Sequence, residues 1–247
     1  MEGPIASLEL GRGEVGNGFD ETLHREFSEA LVALRMAAHV RVVLLSAAGP
    51  MFSAGGDIEY IERLSVDHEL RERTQREGLS AFTSLLEMPV PIVAAIQGHA
   101  VGFGATIATA CDVSVAWRGA KLGDPHVLVG LVAGDGGVLS WTAAAGYNRA
   151  RRMLLTGESI TAEAAYDFGL ITDLVDSPEA ALPQARRIAE RIAALSPVAV
   201  RGTKRAFIAA AKARNGSALE VSLLEEIASL TSPELQAVLS AIKGKRQ

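Results

Sequence analysis

The stretch "PIVAAIQGHAVGFGATIATACDVSVAW", residues 91–117, decides the fold. From Met88 to Cys111 there is no Asp, Glu, Lys or Arg, which raises the question of a membrane span. Pro89, Pro91, Gln97, Gly98, His99, Gly102 and Gly104 break that run, so it does not read as one spanning helix. It reads instead as a buried strand ("PIVAAIQG"), a glycine loop and a buried helix, followed by another strand ("DVSVAW"). Uninterrupted apolar strands imply burial on both faces.

The same reading extends upstream. "ASLEL" (6–10) suggests an opening strand, and "VRVVLLSAAG" (40–49) a strongly apolar one. Between them, Leu23, Phe27, Leu31 and Leu34 recur at helical spacing, with Asp20 placed to cap the helix. Beyond Asp135 the segments become helical, interrupted only by the strand-like "YDFGLITDLVD" (166–176). Ser232 before Pro233 marks the start of a last helix with a basic tail. The layout is a strand-rich α/β core followed by a helical C-terminal third, whose amphipathic character suits packing on another subunit.

Composition narrows the function classes. The chain has 247 residues, 49% hydrophobic and 21% charged, with a net charge of −5. That is ordinary for a folded globular protein with a core of its own. No basic run is long enough for a nucleic-acid track. The single cysteine, Cys111, cannot form an intrachain disulfide, and it reads as a buried, inert thiol. No Cys/His cluster has metal-ligand spacing. "MEGPIASLELGRGE" lacks the features of a secretory signal, so a cytoplasmic protein without membrane association is expected.

Two glycine loops follow apolar strands: "GPMFSAGGDIEYI" (49–61) and "IQGHAVGFGATIATACD" (96–112). Each leads into a helix, and Asp57 is placed to cap the first. Both are compatible with plain strand-to-helix turns. Aimed at one point, they would also supply two backbone N–H donors, which is the equipment of an oxyanion hole.

The third segment of interest is "GDPHVLVGLVAGDGG" (123–137), with His126 and Asp135 nine residues apart in a nearly uncharged stretch. His126 is either a structural histidine or an acid/base group, and Asp135 either caps the helix near Gly137 or partners His126. Asp124, before Pro125, reads as a turn residue, and His99 as structural or as a pocket wall. Arg201, Lys204 and Arg205 lie on one helix and read as a solvated face or, alternatively, as a contact for ligand phosphates.

Taken in order, "FSAGGDI", "AIQGHAVGFGATIATACDVSVA", "GLVAGDGG" and "SPVAVRGTKRA" resemble the successive signatures of the enoyl-CoA hydratase/isomerase (crotonase) superfamily and span nearly the whole chain. The resemblance implies an α/β spiral of ββα units over 1–195. It implies a helical region over 196–247 that forms trimers, often paired into hexamers. It also implies an acyl-CoA thioester substrate, with coenzyme A part of the substrate and no separate cofactor or metal. The thioester oxygen would be held by the amides of Gly56 and Phe103. Ala54, Gly55, Asp57, Ile58, Gly102 and Thr106 would line the substrate and coenzyme A path.

The chain departs from the family at the two glutamate positions of a typical hydratase, which here hold Thr106 and His126. Threonine is no base at neutral pH. The pattern resembles a minority branch with a His–Asp pair, in which His126, oriented by Asp135, would move the proton or activate water. That branch includes a retro-Claisen camphor-diketone hydrolase. Three activities are therefore expected candidates: an acyl-CoA hydratase or isomerase working through an enolate, a C–C hydrolase of a β-diketone without coenzyme A, and an inactive acyl-CoA-binding protein.

Overall fold

A computed structural model describes residues 3–246. The chain opens with β1 (Ile5–Leu10), a short 3₁₀ turn and α1 (Glu21–Met36), and returns as β2 (Val42–Ala47). Helices α2 (Ile58–Val66) and α3 (His68–Leu86) lead to β3 (Ile92–Ile96). Then come β4 (Ala100–Val101), α4 (Phe103–Ala110), β5 (Val113–Trp117) and β6 (Lys121–Gly123). A 3₁₀ turn at His126–Val129 precedes α5 (Gly137–Ala145) and α6 (Tyr147–Thr156). β7 (Ile160–Thr161), α7 (Ala162–Asp167) and β8 (Asp173–Val175) close the mixed part. Four helices follow: α8 (Pro178–Ala193), α9 (Pro197–Asn215), α10 (Ala218–Ser229) and α11 (Pro233–Arg246). The end of the expected basic tail, Gln247, lies outside the described residues, as do Met1 and Glu2 at the other end.

The main sheet has the order β1-β2-β3-β5-β8, with every pairing parallel. The central strands β2 and β3 are almost wholly apolar because each feeds two cores. Val43, Leu45 and Ala94 join the larger core with Phe27, Phe52 and Trp141. Val42, Leu44, Val93 and Val115 face α8. That helix meets them with Ala181, Ala185, Ala189 and Ala193, four small residues at a spacing of four that form one stripe. A second sheet of order β4-β6-β7 is built from strands of only two or three residues, too short to leave a pattern in the sequence.

The expected caps form. Asp20 accepts from the Leu23 amide at 2.9 Å, Asp57 from Tyr60 at 2.8 Å, and Ser232 from Leu235 at 3.2 Å. The strand-like segment at 166–176 is shorter than expected, because Tyr166 and Asp167 finish α7 and only Asp173–Val175 joins the sheet. The solvated face expected on α9 is also corrected. Lys204 is buried, with Nζ 2.6 Å from Asp112 Oδ1, and Arg201 donates to the carbonyls of Ala38 and Val40 at 2.9 Å. Both anchor α9 to the core, and Arg205 alone of the three is exposed. Burial pushes the Cys111 thiol up, and its Sγ donates to the Ile107 carbonyl, in keeping with an inert thiol.

The alanine stripe predicts a steric limit. Ala185 is fully buried against the sheet, so Ala185→Leu is expected to lower stability by about 1–3 kcal/mol through overpacking. Urea denaturation of the two proteins measures it.

Candidate active site

Because β2 and β3 are parallel neighbours, the loops that follow them emerge at the same edge of the sheet. The first loop is shaped by Asn17, a buried residue with a positive φ of 52°. Its side-chain amide donates to the carbonyls of Ala48 and Met51. Gln97 donates to the same Met51 carbonyl and to two more, at Ala47 and Gly49. Ser53 ties the two loops together, since its carbonyl accepts from the Val101 amide at 2.9 Å. Neither Asn17 nor Gln97 stands out in the sequence, because a buried amide holding backbone carbonyls has no local pattern.

Where the loops meet, two glycines are required. Gly55 has φ 85°, and a Cβ there would lie 2.8 Å from the Val101 carbonyl oxygen. Gly102 has φ 52°, and its Cβ position is 3.7 Å from Gly55 Cα. The Gly102 amide donates to the Gly123 carbonyl at 2.9 Å, which welds the second loop to the segment carrying His126. Among the described residues, the amides of Gly56 and Phe103 have no backbone acceptor, and both residues line one cavity.

The same cavity is lined by His126, Asp135 and Glu226. Asp124 is no plain turn residue. It is 1% exposed, and its Oδ1 bonds His126 Nδ1 and accepts from the His126 amide. Asp135 lies on the other side of the ring, with Oδ2 3.8 Å from Nε2. The expected pair is therefore close in space, but the carboxylate that orients the ring through Nδ1 is Asp124. The Asp135 Oδ1 accepts from Thr106 Oγ1 at 2.9 Å and from the Gly137 amide at the start of α5 at 3.3 Å. Asp135 thus also serves the helix start, where the dipole favours negative charge.

The buried charges shift one another. Burial opposes the charge on His126, but the Asp124 carboxylate outweighs it and pushes the imidazole up to about 10. Burial, with the Asp124 charge behind it, raises the Asp135 carboxyl, and His126 works against that rise. Burial followed by the Asp135 charge pushes Glu226 up to about 8. Glu226 comes from α10, some ninety residues beyond the rest of the site. Its carboxylate fits because residue 134 is glycine: a Cβ there would fall 2.6 Å from Glu226 Oε2. In sequence, Glu226 is one glutamate on an amphipathic helix and gives no signal.

Four of the ten residues singled out from the sequence, Gly56, Phe103, His126 and Asp135, line this cavity. Thr106 is fully buried behind Asp135, and Gly55 and Gly102 form the interlock. The Asp57 carboxylate is occupied as the cap of α2. Ile58 lies in a groove between α2 and α11, and Ala54 is exposed. His99 is structural, its Nδ1 accepting from the Lys121 amide.

An α/β fold whose two strand-to-helix loops share one cavity with a buried histidine–carboxylate cluster marks the class of protein. The chain belongs to the enoyl-CoA hydratase/isomerase family, whose pattern matches residues 1–240. It is 35% identical over 205 residues to the (E)-benzylidenesuccinyl-CoA hydratase of Thauera aromatica, covering 83% of this chain and 78% of that protein. It is 32% identical over 206 residues to the crotonyl-CoA hydratase of Syntrophomonas wolfei, with the same coverage. The crystal structure of an enoyl-CoA hydratase/isomerase from Mycobacterium paratuberculosis superposes with a TM-score of 0.93 at 32% identity, covering 98% of this chain and 96% of that one. No helix among the described residues is long and apolar enough to cross a membrane.

Two predictions follow from this geometry. Gly55→Ala forces a left-handed alanine against the Val101 carbonyl. It is expected to cost about 1–2 kcal/mol from backbone strain alone, readable as a lower melting temperature. The second concerns Glu226, whose carboxyl is raised from 4.5 to about 8. Below pH 4.5 both folded and unfolded chains carry the proton; from there to about pH 8 the unfolded chain ionises first, so this group's contribution falls as pH rises. Glu226→Gln should therefore gain stability over the unsubstituted protein across that window and hold a constant margin above it, measured by urea midpoints from pH 5 to 9.

Proposed function

We propose that this chain acts on an enoyl-CoA thioester, adding water across the double bond through an enolate. The observation that carries the reading is the single cavity shared by the free amides of Gly56 and Phe103 and by His126, Asp135 and Glu226. Asp124 keeps His126 protonated, so the ring has no lone pair to offer as a base. Its positive charge instead opposes the rise that burial gives the Asp135 carboxyl. Asp135 Oδ2, which has no hydrogen-bond partner among the described residues, is the base. Its raised affinity for a proton suits that task.

The step balances as follows. Asp135 takes a proton from water as the water oxygen bonds the β-carbon. The π electrons move to the thioester oxygen, which the two amides hold as an enolate. The α-carbon then takes the proton of Glu226, and that proton is restored from Asp135. Two carboxyl groups thus divide the acid and base work, from positions other than those of a typical hydratase. Coenzyme A itself would pass the exposed Ala54 and Gly56 on its way in, with Ile58 beside that path.

A homo-oligomer, trimer or hexamer, accords with the exposed Val198, Phe207, Val221 and Leu224 on α9 and α10, in the helical region 196–247. We place the protein in the cytoplasm, with no nucleic-acid or membrane partner.

The test is hydration of crotonyl-CoA, followed by loss of its conjugated absorbance, alongside calorimetric titration with coenzyme A. Asp135→Asn is expected to lower kcat by about 10²–10⁴-fold and to leave coenzyme A affinity within a factor of about three. An unchanged kcat would assign the base elsewhere. Absence of coenzyme A binding at millimolar concentration, with turnover of a cyclic β-diketone, would instead make the protein a C–C hydrolase. Tight coenzyme A binding with no turnover of any substrate would make it a binding protein.

A further inference from the structure

The turn that carries Asp135 is clamped through its backbone. Glycines at 134, 136 and 137 flank the aspartate, and each is closely covered. A Cβ at Gly134 would fall 2.4 Å from the Ser222 carbonyl oxygen on α10. One at Gly136 would fall 2.3 Å from the Phe82 ring on α3, and one at Gly137 would fall 2.9 Å from Asp124 Oδ2. Packing therefore fixes the main chain of the base. It does not fix the carboxyl group. The last torsion of an aspartate has broad preferences, so a fixed main chain leaves the direction of the two oxygens open.

One side chain closes that freedom. Thr106 is fully buried on α4, does not line the cavity, and donates its hydroxyl to Asp135 Oδ1 at 2.9 Å. The Gly137 amide donates to the same oxygen at 3.3 Å. Oδ1 is thus held twice, while Oδ2 has no hydrogen-bond partner among the described residues. Threonine is suited to the task, because a β-branched side chain on a helix has few χ1 states. Its place on the helix matters too. α4 begins at Phe103, whose amide is assigned above to the thioester oxygen. Residues three apart lie on one face of a helix, so a single turn spaces that amide from the Thr106 hydroxyl.

We infer that Thr106 is a positioning residue: by holding Asp135 Oδ1 it aims Oδ2 at the reacting water and sets its distance from the Phe103 amide. The inference rests on the hydration reading given above and adds the residue that aligns the base. The contact also bears on how tightly the base holds a proton. Burial raises the Asp135 carboxyl, the His126 charge opposes that rise, and the Asp124 charge adds to it. The Thr106 hydroxyl, bonded to the charged form, works on the side of His126. Glu226 on α10, His24 on α1 and Tyr60 on α2 are the other titratable groups that line the cavity.

The test follows crotonyl-CoA hydration across the pH range for the unsubstituted protein and for variants at Thr106 and Ser140. Thr106→Val keeps the shape of the side chain and removes only the O–H. It is expected to lower kcat on the plateau by about tenfold or more and to hold KM within a factor of about three. It is also expected to move the acid limb of kcat to higher pH by about one unit. Thr106→Ala, which removes the donor without a branched side chain, should move the limb the same way. Thr106→Ser restores the donor and should bring the limb back to within about 0.3 unit. Thr109 Oγ1 and Ser140 Oγ, 2.9 Å apart, join α4 to α5 one turn further on. Ser140→Ala loosens that packing without touching the donor and should leave the limb in place. A limb that Thr106→Val and Thr106→Ala leave unmoved, or that Ser140→Ala moves as far, overturns the inference and leaves the hydration reading standing. Failure of the unsubstituted protein to turn over any enoyl-CoA thioester overturns both.

Discussion

The site depends on the parallel pairing of β2 with β3, which places two strand-to-helix loops at one edge of the sheet. Parallel strands deliver their C-terminal ends to the same side, where α/β proteins place their ligands. Here the two loops do more than lie side by side. They interlock at Gly55 and Gly102, both with a positive φ, and at Gly55 the nearness of the Val101 carbonyl also leaves no space for a Cβ. The amides of Gly56 and Phe103 are therefore held by this backbone contact together with the Asn17 and Gln97 side chains that shape the first loop.

The second constraint is electrostatic. Four ionisable groups, Asp124, His126, Asp135 and Glu226, are gathered at one end of the cavity, mostly out of water. Burial alone would neutralise every one of them. The contact with Asp124 overcomes that for the His126 imidazole, and the His126 charge works against it at Asp135. Glu226, with no cation of its own, is left to keep its proton. The cluster thus sets opposing pulls on neighbouring carboxyl groups, and such environments push the proton affinities of paired groups apart.

Much of the fold is legible in the sequence. The apolar strands of 42–47, 92–96 and 113–117 read as doubly buried because no polar residue alternates along them, and the caps at Asp20, Asp57 and Ser232 are local chemistry. The order of the glycine loops identifies the family, and the family-model match agrees with it. The second sheet is not legible, since its strands are two or three residues long. The anchoring of α9 by Lys204 and Arg201 is not legible either. A lysine on an amphipathic helix looks solvated until Asp112, ninety-two residues away, is brought to it.

By itself the sequence determined the apolar strands of the main sheet, most of the helices, the two loops and the presence of His126 and Asp135 close together in the chain. Those features rest on periodicity, glycine conformation and capping, all of which act within a few residues. Only the tertiary structure decided which carboxylate orients the histidine, that Glu226 enters the site from α10, and that the Thr106 hydroxyl meets Asp135. Each of these is a contact between distant segments. The charge a buried group carries is set by the groups buried with it, and not by its neighbours along the chain.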